Sequence, residues 1–280
     1  MEKSLLDFSE QDRVAKAIKT NWENYHYCLA RSPSVELSIS RHLTWFVTRV
    51  PDHFLNLVVC TGLPPHGFDE LIVDTLAHFR ALKIKKLSWL AREGTLSKEV
   101  RHSLLAHGLT FNGSFGTQMA VDLTSLPEAP PLPPGLEIIT VMTGRELKEW
   151  IHVASIGFGL SREWEADWYD FFTQAACEVP FRTYLALLDG RPVGTSQLFT
   201  SAGVAGIYNV TCLPEARGRG IGTAVTAAAL RDAYVMGYRV GILQASDLGV
   251  PVYRRLGFQE YGRMSVYHWK NDQQVESPPA

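Results

Sequence analysis

The chain has 280 residues, 46% of them hydrophobic and 20% charged, which suits one large or two small globular domains. A formal net charge of -2 supplies no general basic field, so nucleic acid is not an expected partner. The polar start Met1-Glu2-Lys3-Ser4, the lack of a bilayer-length apolar run, and four scattered cysteines (Cys28, Cys60, Cys177, Cys212) point to a cytoplasmic protein without metal or membrane partner.

No element is assigned before His42. His42 to Thr48 and Phe54 to Cys60 read as strands, Asp69 to Leu82 as a helix, and Lys86 to Leu90 as a strand. Ser97 to Ala106 follows as a helix and Gln118 to Leu123 as a strand. Leu126 to Gly135 then holds five prolines in ten residues, which neither a helix nor a central strand accepts. The expected division is therefore 1–125, a semi-rigid linker at 126–135, a second domain at 136–270, and a frayed tail at 271–280.

In the second part, Leu136 to Val141 reads as a strand, and Gly144 to Phe158 as a helix with Leu147, Trp150, Ile151 and Ala154 at three- and four-residue steps. Glu163 to Cys177 predicts a second helix. Thr183 to Leu188 and Pro192 to Phe199 flank the hairpin signal Asp189-Gly190, and Gly203 to Cys212 gives a further strand. Gly222 to Met236 is an Ala- and Leu-rich helix closed by Gly237. Arg239 to Gln244 (strand), Pro251 to Leu256 (short helix, then Gly257) and Met264 to Trp269 (strand) complete the order. The pattern predicts an α/β fold: a mixed sheet with helices on both faces. The first part ends on a fainter copy of this order, with Leu63-Pro64 matching Leu213-Pro214 and His107-Gly108-Leu109 matching Leu256-Gly257-Phe258, so an internal duplication is expected.

Arg217-Gly218-Arg219-Gly220-Ile221-Gly222 lies between a strand and a helix. Its glycines let the backbone approach an anion, the helix start adds unpaired N–H groups, and two arginines add charge, so a pyrophosphate is a natural ligand. Taken alone, the run reads equally well as a flexible turn. No Gly-Lys-Ser or Gly-Lys-Thr follows, which excludes a Walker loop, and the late position disfavours a dinucleotide fold.

Downstream, Tyr253-Arg254-Arg255-Leu256-Gly257-Phe258 supplies a second signature, one helix and one strand later. With these two motifs the chain resembles the GNAT acyltransferase superfamily over roughly 136–269: the first matches Arg/Gln-x-x-Gly-x-Gly/Ala and the second Tyr-x-x-x-Gly-Phe. The proline-rich joint resembles tandem members, in which one copy degenerates. The resemblance implies two GNAT-like domains of the acyl-CoA N-acyltransferase fold, acetyl-CoA as cosubstrate, and coenzyme contacts from Val210, Thr211, Cys212, Arg217, Gly218, Arg219, Gly220, Ile221, Gly222, Thr223 and Ser246. Val210 and Cys212 would make backbone contacts, with Thr211 pointing the other way. Ser246 stands where the family often has asparagine, which puts that contact in doubt. In the first part the loop before the helix has one glycine and no arginine, and Leu104 occupies the place of Tyr253, so no coenzyme is expected there.

The implied reaction moves an acetyl group from acetyl-CoA to a primary amine of a small molecule, by direct attack through a tetrahedral intermediate. A lysine-like amine with a pKa of about 10.4 is neutral in only roughly one molecule in 2,500 at pH 7, a cost of about 4.6 kcal/mol unless the site assists. Tyr253, neutral at pH 7, is the expected acid for the leaving thiolate. A backbone N–H near Asn209 or Val210 is the expected donor to the thioester oxygen. Cys212 reads as a small buried strand residue, not a nucleophile. The base is not identified: Glu163, Glu165 and Asp167, interleaved with Trp164 and Trp168, either attract a cationic amine or form an ordinary amphipathic helix. Alternatives are a protein or peptide acetyltransferase and a non-catalytic acyl-CoA sensor. A monomer or homodimer is expected.

Overall fold

The structure is a computed structural model that describes residues 5–48, 50–62, 67–94, 96–128, 131–176 and 181–271. Leu63 to His66, Ala129-Pro130, Cys177 and the tail beyond Asn271, all used in the sequence reading, lie outside them. The first half runs α1 (Gln11–Leu29), β1 (Val35–Ile39), β2 (Leu43–Thr48), β3 (Leu57–Cys60), α2 (Phe68–Ala81), β4 (Lys86–Arg92), α3 (Lys98–Ala106) and β5 (Thr110–Asp122). The second runs β6 (Leu136–Thr140), α4 (Gly144–Phe158), α5 (Glu165–Ala176), β7 (Phe181–Leu188), β8 (Arg191–Ser201), β9 (Val204–Cys212), α6 (Ile221–Val235), β10 (Val240–Ala245), α7 (Val250–Arg255) and β11 (Gln259–Lys270).

The described residues form two compact units that interleave along the chain: those up to Ser32 with those from Thr117 to Tyr261, and those from Pro33 to Gly116 with those from Gly262 on. The divisions fall after Ser32, after Gly116 and after Tyr261. The N-terminal helix belongs with the second half, and the end of β11 belongs with the first.

In the larger unit the strand order is β6-β7-β8-β9-β10-β5. Only β9 and β10 run parallel; the other neighbours are antiparallel. Side-chain alternation separates the two faces. Met119, Val121, Ala205, Ile207, Leu243 and Ala245 pack under α6 and α7, whereas Ala120, Val204, Val240 and Ile242 pack under α1. Local chemistry sets the element ends. Thr143 and Glu146 form a reciprocal capping box at the start of α4, and Gly159 (φ 72°) ends it. Asp189 and Gly190, both at positive φ (50° and 77°), make the two-residue turn that joins β7 to β8.

The smaller unit has strand order β1-β2-β3-β4-β11, with β3 and β4 parallel. Phe68, Ile72, Leu76 and Phe79 of α2 and Leu104 of α3 are buried with Leu43, Val58, Leu87, Trp89, Tyr267 and Trp269 of the sheet. The order strand–helix–strand–helix–strand therefore occurs twice, as β3-α2-β4-α3-β5 and β9-α6-β10-α7-β11. In each copy the first two strands are parallel. The final strands are exchanged: β5 pairs antiparallel with β10, and β11 with β4.

Three sequence expectations change. α1 and β1 carry no assignment in the sequence reading but are formed. The strand expected from Phe54 begins only at Leu57, because Asn56 clamps a turn: its Nδ2 donates to the carbonyls of Val50, Asp52 and Lys86, and its Oδ1 accepts from the Thr48 N–H. The strands expected from Gln118 and Met264 are longer, starting at Thr110 and Gln259.

Candidate active site

The site forms where β9 and β10 part. They are in register only over Ala205–Gly241, Gly206–Ile242 and Ile207–Leu243, although β9 continues to Cys212. On the other side, β8 pairs with Tyr208 and again with Thr211 and Cys212, skipping two residues. Asn209 and Val210 thus have no register partner on either neighbour. Opposite them β8 offers one residue, Ser196, which defines a β-bulge. Asn209 itself takes a left-handed φ of 52°. The extra residue resets the alternation: Tyr208 and Asn209 both meet α1, Val210 packs toward α6 and α7, Thr211 abuts Gly157 of α4, and Cys212 returns to α6.

The glycine-rich loop follows. Gly218 (φ 75°) and Gly220 (φ 78°) hold left-handed conformations, and Gly220 caps the start of α6. A Cβ at Gly218 would meet nothing within 4 Å, and one at Gly222 only the Cys212 sulfur at 3.9 Å. Ile221 is buried against β8, where Gly194 makes room for it, and Thr223 is half-buried in the first helical turn. Arg219 is exposed and has no protein partner among the described residues. Arg217 differs: its guanidinium donates to the Gly157 carbonyl at 2.9 Å, tying the loop to the end of α4.

Tyr253 lies on α7, 8% exposed, edge-on to Phe258 at 5.7 Å. Burial raises its pKa well above the usual tyrosine value, and a hydrogen bond with the Thr226 hydroxyl partly opposes this. Thr226 donates to the Gly222 carbonyl in the first turn of α6 (2.8 Å), so the Tyr253 phenol is aimed at the helix start beside the loop. Cys212 is close to the same point and accepts a hydrogen bond from the Gly222 N–H; burial pushes its thiol up to about 11, so it is not a thiolate at neutral pH. Ser246 caps the turn into α7, its Oγ accepting from the Gly249 N–H at 3.3 Å.

The acidic candidates are less concentrated than the sequence suggests. Glu165 contacts the His152 ring of α4 at 3.0 Å and Arg162 at 3.5 Å. Glu163 is exposed and Trp164 half-buried, on the short turn before α5. Trp168 and Phe172 are core residues. The residues that do meet the bulge were not picked out from sequence, apart from Asn209. Its Nδ2 donates to the Tyr25 hydroxyl at 2.8 Å and to Gln197 Oε1 at 3.2 Å. Tyr25 donates to Gln197 Oε1 at 3.1 Å and stacks on Tyr208 at 4.0 Å. Tyr208 donates to Asn21 Oδ1 at 2.7 Å. An apolar stripe at Val14, Ile18, Trp22 and Tyr25 was the available signal for the helix that brings these groups.

The smaller unit holds the counterpart. Gly67 (φ 76°) caps α2 as Gly220 caps α6. A groove of about 660 Å³ runs along α2 and α3, lined by Phe68, Asp69, Lys98, Glu99, His102 and Ser103. Asp69, in the first turn of α2, accepts from Ser103 of α3 and contacts His107, just past the end of α3, at 2.9 Å. A carboxylate thus stands where an anion site would need a donor, and Leu104, fully buried, stands in place of Tyr253.

Residues 146–258 match the family described as Acetyltransferase (GNAT) family. No curated protein sequence matches the chain. Among solved structures, it is similar to a GCN5-related N-acetyltransferase from Kribbella flavida (TM-score 0.66, 20% identity, covering 90% of this chain and 95% of that one). It is also similar to a GCN5-related N-acetyltransferase from Sphaerobacter thermophilus (0.58, 18%, 84% and 82%) and to a tandem GNAT protein from the clavulanic acid biosynthesis pathway (0.59, 16%, 85% and 84%). At these identities the likeness is one of fold.

Proposed function

We propose, from the match of residues 146–258 to the acetyltransferase (GNAT) family, that the chain transfers an acetyl group from acetyl-CoA to a primary amine of a small molecule. The observation that carries this reading is the convergence at the start of α6. The open β9 edge, two left-handed glycines, an exposed Arg219 and the Tyr253 phenol all meet there. Each part answers a chemical demand of the reaction. The loop N–H groups and the positive end of α6 suit a pyrophosphate, with Arg219 adding charge. The edge of β9 that β10 leaves unpaired beyond Ile207 suits an amide-bearing arm laid alongside as an added strand.

The Asn209 carbonyl is turned toward β8, where the Thr195 hydroxyl donates to it at 2.7 Å. A trans peptide then turns the Val210 N–H the opposite way, toward the gap, where it can stabilise charge developing on a thioester oxygen. Tyr253 stays protonated and can deliver a proton to the departing sulfur. The buried, high-pKa thiol of Cys212 supports direct attack by the amine over an acyl-enzyme. The internal repeat is read as a duplication in which residues 136–270 kept the coenzyme site, while the α2–α3 groove lost it. Among the described residues no helix is long and apolar enough to cross a membrane.

Measuring CoA release with a panel of small amines, amino acids and short peptides tests this. Turnover on small primary amines supports the proposal. Turnover on peptides alone favours a peptide acetyltransferase, and tight acetyl-CoA binding without any turnover favours a sensor.

A further inference from the structure

We propose that Tyr25, on the N-terminal helix, is a positioning residue that sets the β9 bulge for acetyl transfer. The inference rests on the proposed reaction. Asn209 must hold a left-handed backbone for the Val210 N–H to face the gap, and asparagine adopts that conformation more readily than most residues, but not obligatorily. Three hydrogen bonds hold it. Thr195 fixes the carbonyl from β8, and the side chain is fixed by Gln197 from β8 and, more closely, by Tyr25 from α1.

The orientation of this network is determined. Gln197 Nε2 donates to Thr183 Oγ1 at 3.1 Å, which turns Gln197 Oε1 toward Tyr25 and Asn209 as the acceptor. The Tyr25 proton is then committed to Gln197, and its oxygen is open to the Asn209 amide. The ring is equally constrained: it stacks on Tyr208 and meets Phe181 and Phe199 edge-on at 5.5 and 5.7 Å. A helix 184 residues away in sequence therefore controls the backbone angle of one strand residue at the site.

The test is a double-mutant cycle with Tyr25→Phe and Asn209→Gly, read as kcat, KM for acetyl-CoA and Tm, with a crystal structure of Tyr25→Phe. Phenylalanine keeps the stacking and removes only the hydroxyl. Glycine adopts positive φ without an anchor. The expected result is a kcat about fivefold lower in Tyr25→Phe, the size of one lost hydrogen bond, with KM within about twofold. In the Asn209→Gly background Tyr25→Phe should have no further effect on kcat. An unchanged kcat in Tyr25→Phe, or an equal loss in both backgrounds, would overturn the proposal. If the wild-type protein acetylates no amine, the function reading fails separately. The Tyr25→Phe structure then decides: residue 209 leaving the left-handed region supports the positioning role, and residue 209 unmoved overturns it.

Discussion

A methyl group at residue 206 would lie 2.3 Å from Asn21 Oδ1 and 2.5 Å from the Tyr208 ring. Gly206 of β9 is therefore the notch that lets α1 settle on the sheet. Asn21 Nδ2 donates from there to the Ser201 carbonyl at 3.0 Å, while its Oδ1 accepts from Tyr208. Gly206→Ala should displace α1 and cost about 1–3 kcal/mol. A lower Tm together with lower kcat is the expected outcome of thermal melts and kinetics.

Tyr253→Phe should lower kcat by about a hundredfold or more while leaving acetyl-CoA affinity nearly unchanged. Because burial raises the folded-state pKa of Tyr253, the acid should stay protonated to pH 10 and above. An alkaline fall in kcat centred below pH 10 would therefore have to come from another group. A pH–rate profile of wild type and variant checks both points.

The two loop arginines should separate. Arg219→Ala removes an exposed charge that has no partner among the described residues, so the Kd for CoA should rise roughly tenfold with Tm unchanged. Arg217→Ala should also weaken CoA binding, but with a small loss of Tm, because its bond to the Gly157 carbonyl goes with it. Calorimetric titration beside thermal melts tells them apart.

His26 gives the fold an acid-sensitive point. Its ring is buried against Trp22 at 3.9 Å, and burial lowers its pKa from 6.5 to about 4. The folded form thus binds the proton more weakly than the unfolded chain. The contribution to stability is present above pH 6.5 and is lost as pH falls through about 4, on the order of 3 kcal/mol in full. His26→Phe should shrink the difference between melting temperatures at pH 7 and pH 4.5.

The elements of the second half were legible because local chemistry punctuates them: the Thr143–Glu146 box, the Asp189-Gly190 turn and Gly237 after α6 act within a few residues. The loop and Tyr253 were legible for the same reason, as short motifs on fixed elements. α1 was not. Its inward face includes Asn21 and His26, polar groups tolerable only because partners are supplied on burial, for Asn21 from nearly two hundred residues away. The Tyr25–Gln197–Asn209 network hides for that reason too, and Glu165 shows the converse. Its carboxylate looked available in sequence, but His152 of the preceding helix engages it. The exchange of β5 and β11 was not legible either, because it depends on pairing between strands distant in sequence.

The central claim is that one coenzyme binds per chain, at the β9–α6 loop. Titration calorimetry of acetyl-CoA into wild type, Gly220→Asp and Gly67→Asp tests it most directly. One site per chain is expected in wild type, with loss of binding in Gly220→Asp and wild-type affinity and stoichiometry in Gly67→Asp. Two sites per chain, or binding that survives Gly220→Asp and vanishes in Gly67→Asp, would contradict it.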